Sequence, residues 1–223
     1  MKIAICICDV DILDKSTEEY LQQYEKFLIS LGHSVDYFYH RWNPHLDSTL
    51  PSTFYLEELV SKKEELIEKL SSILPKKFLK KSITFYGLMR ATNLKINYEI
   101  ANNISYDMCI GICSKINYFD YSVMCRELKI PKVNTVYTFG SKESKIFPYF
   151  SINYKFFYSD TLTFNKIAEF FRFLPNAITY LRRIPEDSND MPLARVTVVA
   201  NVCLAMCEVR CLLMLHSAAI SFK

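Results

Sequence analysis

The chain has 223 residues, half of them hydrophobic, with 15 Tyr and 16 Phe, enough to bury one full core and to argue for a packed globule rather than a disordered chain. Its four glycines form neither GxxxxGK nor GxGxxG, so the familiar glycine-rich phosphate cradles are absent. A net charge of +3 is too small to mark a nucleic-acid binder.

Lys2 to Cys8 (KIAICIC) reads as a buried first strand. Asp9 and Asp11 interrupt the apolar start, which argues against a signal peptide and for a cytoplasmic protein. Ser16 to Glu19 is a capping-box pattern, and Tyr20, Tyr24, Phe27, Leu28 and Leu31 continue it as a helical stripe. Gly32 is placed for a left-handed cap. Val35 to His40 is a second strand, followed at once by Arg41-Trp42-Asn43-Pro44. This β-α-β opening demands parallel strands.

Leu56 to Leu74 reads as a charged amphipathic helix stopped by Pro75, with Glu58–Lys62 and Glu65–Lys69 as pairs four apart. Lys76, Lys77, Lys80 and Lys81 read as a solvated linker, with phosphate contact as the alternative. From Ser82 a helical pattern returns. Phe85, Met89, Ile96 and Ile100 mark one side, Arg90, Asn93 and Asn97 a polar side, and Asn102-Asn103 the end. Tyr106-Asp107 then leads into a buried strand from Met108 to Cys113 with a polar tip at Ser114-Lys115. Ligands of α/β sheets bind beyond the carboxyl ends of strands, so Gly111 to Asn117 is where a site is expected.

Tyr121 to Leu128 reads as a short helix, Pro131 to Tyr137 as a strand, and Thr138 to Ile152 as a loop. Ile152 to Asp160 reads as an aromatic edge or loop, and Leu162 to Leu174 as a helix with Phe164, Ile167, Ala168 and Phe171 on one face, ended by Pro175. The expected organisation is a single α/β domain over 1–175 with a mostly parallel central sheet, and a helical extension over 176–223 packed on it. Arg195, Glu208 and Arg210 interrupt that apolar tail, so no transmembrane segment is expected.

Eight cysteines form no CxxC pair, and Cys6, Cys8, Cys109 and Cys113 fall inside strands, which predicts buried, reduced thiols. Cys203, Cys207 and Cys211 share a helical spacing of four, but no fourth metal ligand is evident. Trp42, the only tryptophan, stands beside His40 and His45 at a strand exit, as the wall of a ring-binding site or as a packing anchor. Arg90 and Asn93 can reach a nucleotide or face water. Asp107 can cap a turn. Asp160 is a carboxylate for a general base or the cap of the next helix.

In their order these residues resemble the glycosyltransferase-like proteins related to the WavE lipopolysaccharide-synthesis group, over roughly residues 1–175. KIAICIC resembles that family's first strand, and His40-Arg41-Trp42 its His-x-Trp element. Arg90, Leu94-Lys95, Tyr98-Glu99, Asn103 and Tyr106-Asp107 resemble its middle, and Asn153, Phe156-Phe157 and Ser159-Asp160 its late motifs. The resemblance implies a GT-A/Rossmann-like fold. It also implies transfer from a nucleotide-sugar donor to a surface or envelope glycan acceptor, as in polysaccharide biosynthesis. With the residue reading above, the expected donor and acceptor contacts are His40, Trp42, Arg90, Asn93, Asp107, Lys115 and Asn153, with Asp160 as base. The family's Arg-x-Arg-x-Asp is replaced by Gly111, Cys113 and Lys115, and its late Asn-Asp by Asn153-Tyr154. The usual carboxylates for Mn²⁺ or Mg²⁺ are therefore absent, so no cofactor is required, with Mn²⁺ or Mg²⁺ as the alternative; Lys115 can act as the point charge instead. The alternative is a non-catalytic nucleotide- or carbohydrate-binding protein.

Overall fold

The computed structural model describes residues 1–8, 15–42, 53–72, 76–113, 115–133, 135–138, 156–169 and 210–213. Strand β1 (Lys2–Cys8), helix α1 (Lys15–Ser30) and strand β2 (Ser34–Arg41) form the expected opening, with β1 and β2 parallel and Cys8 opposite His40. β1 also pairs in parallel with β4 (Met108–Ile112), Ile7 opposite Ile112. β1, β2 and β4 thus lie parallel in one sheet, with β1 in the middle of the three.

β1 is an uninterrupted apolar run because both of its faces are covered. Ile3, Ile5 and Ile7 pack with Leu21, Tyr24 and Leu28 of α1. Ala4, Cys6 and Cys8 face the other way, with Leu88 and Ala91 of helix α3 (Lys76–Asn102). A central strand flanked by helices on both sides needs no polar alternation. Each fully buried isoleucine contributes about 1.5–3 kcal/mol over its exposed state.

Helix ends follow their caps. Gly32 has φ +80°, with Gly32 N–H donating to Ile29 O (2.9 Å) and His33 N–H to Leu28 O (3.1 Å). Asn103, at φ 50°, closes α3 in the same way through Ile104 N–H to Glu99 O (3.0 Å). These left-handed closures satisfy carbonyls that the last turn leaves over. α1 already includes Lys15, so Ser16 lies inside its first turn and is not the cap expected from the Ser16–Glu19 pattern. Helix α4 (Tyr118–Glu127) starts earlier than expected because Asn117 and Asp120 form a reciprocal capping box.

The expected helix from Leu56 is two elements. Thr53–Glu57 is strand β3, parallel to β2, and α2 spans Val60–Ser71. Aromatic and β-branched residues win locally here, with the Phe54 ring stacked on Phe38 at 5.2 Å. The run Lys76, Lys77, Lys80 and Lys81 is not a linker but the start of α3, in keeping with the helix propensity of lysine. The stripe Phe85, Met89, Ile96, Ile100 packs only in its first half: Met89 is buried and Phe85 lies against the core, whereas Ile100 is 75 % exposed. α3 also buries Leu88, Ala91, Thr92 and Lys95. The polar pair is tolerated because its atoms are satisfied. Thr92 Oγ1 donates to Leu88 O (2.8 Å), and Lys95 Nζ donates to Glu99 Oε2 (2.9 Å) and to Thr161 Oγ1.

The sheet has seven strands in the order β3-β2-β1-β4-β6-β5-β7, and it is mixed. β6 (Phe156–Ser159) runs antiparallel to β4 and to β5 (Thr135–Thr138), and β7 (Arg210–Leu213) is parallel to β5. The aromatic run is thus an interior strand, not an edge or loop. Gly111 admits it, since a Cβ there would meet Phe157 Cζ at 2.5 Å. β5 covers only the end of the segment expected as a strand from Pro131. α5 (Thr161–Ala168) begins at its Asp160 cap and packs Phe164 and Ala168 into the core. Within 176–223 the described residues 210–213 form a strand rather than a helix, and Cys211 lies on it. Cys203, Cys207, Asn153, Phe171, Pro75 and His45 lie outside the described residues. No helix among the described residues is long and apolar enough to cross a membrane.

Candidate functional site

β3, β2, β1 and β4 point the same way, so their carboxyl ends form one edge of the sheet. From β1 the chain goes through α1 to β2 on one side, and later through α3 to β4 on the other. The ends of β1 and β4 therefore flank the point where strand order reverses, the usual ligand crevice of an open α/β sheet.

A polar cluster occupies the neighbouring part of this edge. β2 delivers His40 and Trp42; β3 delivers Glu58, whose N–H donates to Arg41 O (3.0 Å). α3 brings Tyr86 and Arg90, one turn apart, from above. The Glu58 carboxylate, 4 % exposed, receives His40 Nε2 at 3.0 Å, Arg90 Nη2 at 3.0 Å, and Lys62 Nζ. The Tyr86 hydroxyl donates to it as well. Burial alone would raise the Glu58 pKa, but the hydrogen bonds from Lys62, His40 and Tyr86 and the charge of Arg90 bring it down to about 2. His40 goes down to about 4, chiefly because burial disfavours the imidazolium, against the opposing pull of Glu58. At neutral pH an ionised Glu58 accepts from a neutral His40, whose proton must then sit on Nε2. His40 Nδ1 is left a buried acceptor with no partner, and Arg90 Nε a buried donor with none.

Trp42 is 4 % exposed, so it is an anchor and not an open wall. Its ring stacks on Tyr86 (5.5 Å, 16°) and meets His40 edge-on (4.7 Å, 88°). The ammonium of Lys63 lies 5.9 Å from the Trp42 centroid. Arg90, 31 % exposed, and Lys62 reach solvent, so the outer rim of the cluster is cationic.

The structure brings together His40, Trp42 and Arg90 from the expected set. Asn93 is half-buried on α3, three residues beyond Arg90. Lys115 is exposed on the segment leaving β4, at the same edge of the sheet. Asp107 and Asp160 lie at the opposite edge. Asp107 Oδ2 accepts from Lys2 N–H (2.7 Å), where β1 and β4 begin. Ser159 pairs with Cys109, so Asp160 is level with the start of β4. At about 3.3 Å per residue, roughly 13 Å of strand separates that level from Ile112. The Asp160 carboxylate caps α5, accepting from Thr163 N–H (3.0 Å) and from the Thr163 hydroxyl. Gly111 and Cys113 turn into the core beneath α3 and α5.

The sequence reading missed Glu58 as a hub, seeing it only as a partner of Lys62, and it missed Tyr86. The recurrence of Tyr86 and Arg90 four residues apart, on the same helix face, was the signal that could have found the latter. Among the described residues no group of three or more His, Cys, Asp or Glu could hold a metal ion. Glu58, saturated by cationic and hydroxyl donors, is ill suited to a divalent cation. No protein-family model, no curated protein and no solved structure matches this chain.

Proposed function

We propose that the chain is a glycosyltransferase-like protein with a Rossmann-like, GT-A-type half, and that it binds a nucleotide-activated sugar over the carboxyl ends of its parallel strands. The observation that carries this reading is the convergence of His40, Trp42 and Arg90 on Glu58, beside the point of strand reversal. The cationic rim of Lys62 and Arg90, with Lys115 at the same edge, suits a diphosphate, which Lys meets as a point charge and Arg as a fork. Recognition without turnover is favoured over transfer to a glycan acceptor. Glu58 is ionised and saturated with donors, and Asp160 is used as a cap on the other edge, so neither is poised as a base.

Calorimetry with UDP-, GDP- and CMP-sugars, with and without Mn²⁺, tests this. One class of donor should bind, with little response to metal. Arg90→Ala and Lys115→Ala should each weaken it about ten- to a hundredfold, the effect of losing a charged hydrogen bond. No binding of any donor refutes the reading, and release of free sugar or transfer to a glycan refutes its non-catalytic part.

A further inference from the structure

At the reversal point itself stand two thiols. β1 ends at Cys8, and Cys113 is the first residue past β4. Parallel pairing runs to Ile7 opposite Ile112, so Cys8 and Cys113 are the next pair across, on the face shared with Cys6 and Cys109. Adjacent strands lie about 4.8 Å apart, within the Cα separation that a disulfide spans. Cys8 Sγ lies 2.6 Å from Cys113 Sγ, nearer than two unbonded sulfurs ordinarily rest. Neither sulfur is in a disulfide, and Cys113 is 8 % exposed while Cys8 is fully buried. Among the described residues, Cys6 and Cys109 lack such a partner by register. Cys6 faces Gly111, and Cys109 Sγ points to Thr161 Oγ1 at 3.5 Å. Burial holds the Cys109 thiol up at about 11.

We propose that Cys8 and Cys113 form a redox pair that peroxide closes into an intramolecular disulfide, linking the carboxyl ends of β1 and β4. Cys113, the more accessible sulfur, attacks one peroxide oxygen as a thiolate and becomes a sulfenic acid, while the other oxygen leaves as water. The Cys8 sulfur then displaces the sulfenic oxygen as a second water. Two thiols lose two protons and two electrons, and one hydrogen peroxide becomes two waters. Attack by the second thiol outruns over-oxidation because it is already in contact and needs only a local adjustment. The strand end favours closure, since Cys113 lies outside the ladder and its backbone can adjust to the geometry of the bond. The pair stands two residues ahead of Lys115, so closure fixes the crevice mouth whatever ligand it takes.

The test treats the native protein with a small excess of hydrogen peroxide, alkylates the remaining thiols, and maps the unreduced protein by tandem mass spectrometry. The expected product is lighter by two hydrogen atoms, carries a Cys8–Cys113 link, and reverts with dithiothreitol. Cys113→Ala or Cys8→Ala should abolish the link, whereas Cys6→Ala and Cys109→Ala should keep it. In Cys8→Ala, dimedone should trap the stranded sulfenic acid at Cys113. Mapping the wild type needs no variant, so a misfolded substitution leaves the test intact. Peroxide that leaves Cys8 and Cys113 unlinked, drives Cys113 to the sulfinic acid, or links another pair in the wild type overturns the proposal.

Discussion

Replacing Glu58 by Gln keeps the shape of the hub and removes its charge. In the folded chain this carboxyl sits at about 2 instead of 4.5. At about 1.4 kcal/mol per unit, its ionised form is favoured by roughly 3 kcal/mol in the native state. Two of its donors, Lys62 and Arg90, are partly open to solvent, so screening reduces what is realised to about 2 kcal/mol at pH 7. Because the folded pKa is depressed, this contribution is fully present above pH 4.5 and is lost as pH falls towards 2. Glu58→Gln should therefore cost about 2 kcal/mol by urea unfolding at pH 7, and the gap to the wild type should close as the buffer is taken below pH 4.5. Unfolding midpoints of the two proteins at neutral and acid pH decide the matter. A loss below about 0.5 kcal/mol at pH 7, or a gap of constant size at every pH, refutes the hub as the geometry describes it.

His40 supplies a separate window. It is neutral when folded, with a pKa of about 4 against 6.5, so stability is complete above pH 6.5 and falls as pH drops from there towards 4, by up to about 3 kcal/mol. His40→Gln should flatten that slope in urea titrations at a series of pH values. Gly111→Ala drives a methyl into the Phe157 ring and should cost about 1–3 kcal/mol, most of it recovered when Phe157→Leu is added; thermal unfolding of the single and double variants reads this. Asp160→Ala should lose a cap worth about 1 kcal/mol and leave nucleotide-sugar affinity unchanged, so a large loss of affinity at unchanged stability would return Asp160 to the site.

What the sequence made legible is what local rules control. The run KIAICIC, the glycine at φ +80° after α1, and the Asn102-Asn103 end of α3 each follow from short-range chemistry, and each is found where expected. The errors lie where a distant partner decides. Thr53–Glu57 becomes a strand because β2 offers an unpaired edge and Phe38 a ring to stack on. Lys95 is buried because Glu99 and Thr161, the latter sixty-six residues away, satisfy its ammonium. The antiparallel insertion of β6 beside β4 depends on the bare Cα of Gly111, which marks a close approach in sequence without naming Phe157. His40, Trp42 and Arg90 could be chosen from order and residue type alone. Their common carboxylate could not, because Glu58 reads in one dimension as half of an ordinary surface pair.

That carboxylate also bears on what the cluster is for. A buried ion pair is weak support for a fold, since well-packed apolar residues in its place often leave stability unchanged or raise it. Here the arrangement carries a further burden, for His40 Nδ1 and Arg90 Nε are both buried without partners, and an unsatisfied buried polar atom costs about 1–3 kcal/mol. The apolar row beside them shows that the same edge can be closed without charge, since Cys8 and Cys113, at the level of His40, belong to the core. Among the described residues, the Glu58 cluster lies on the β2 and β3 side of the reversal point and the paired thiols lie at it. A network that is cationic at its rim and set at the carboxyl ends of parallel strands is consistent with the proposed binding of an anionic ligand.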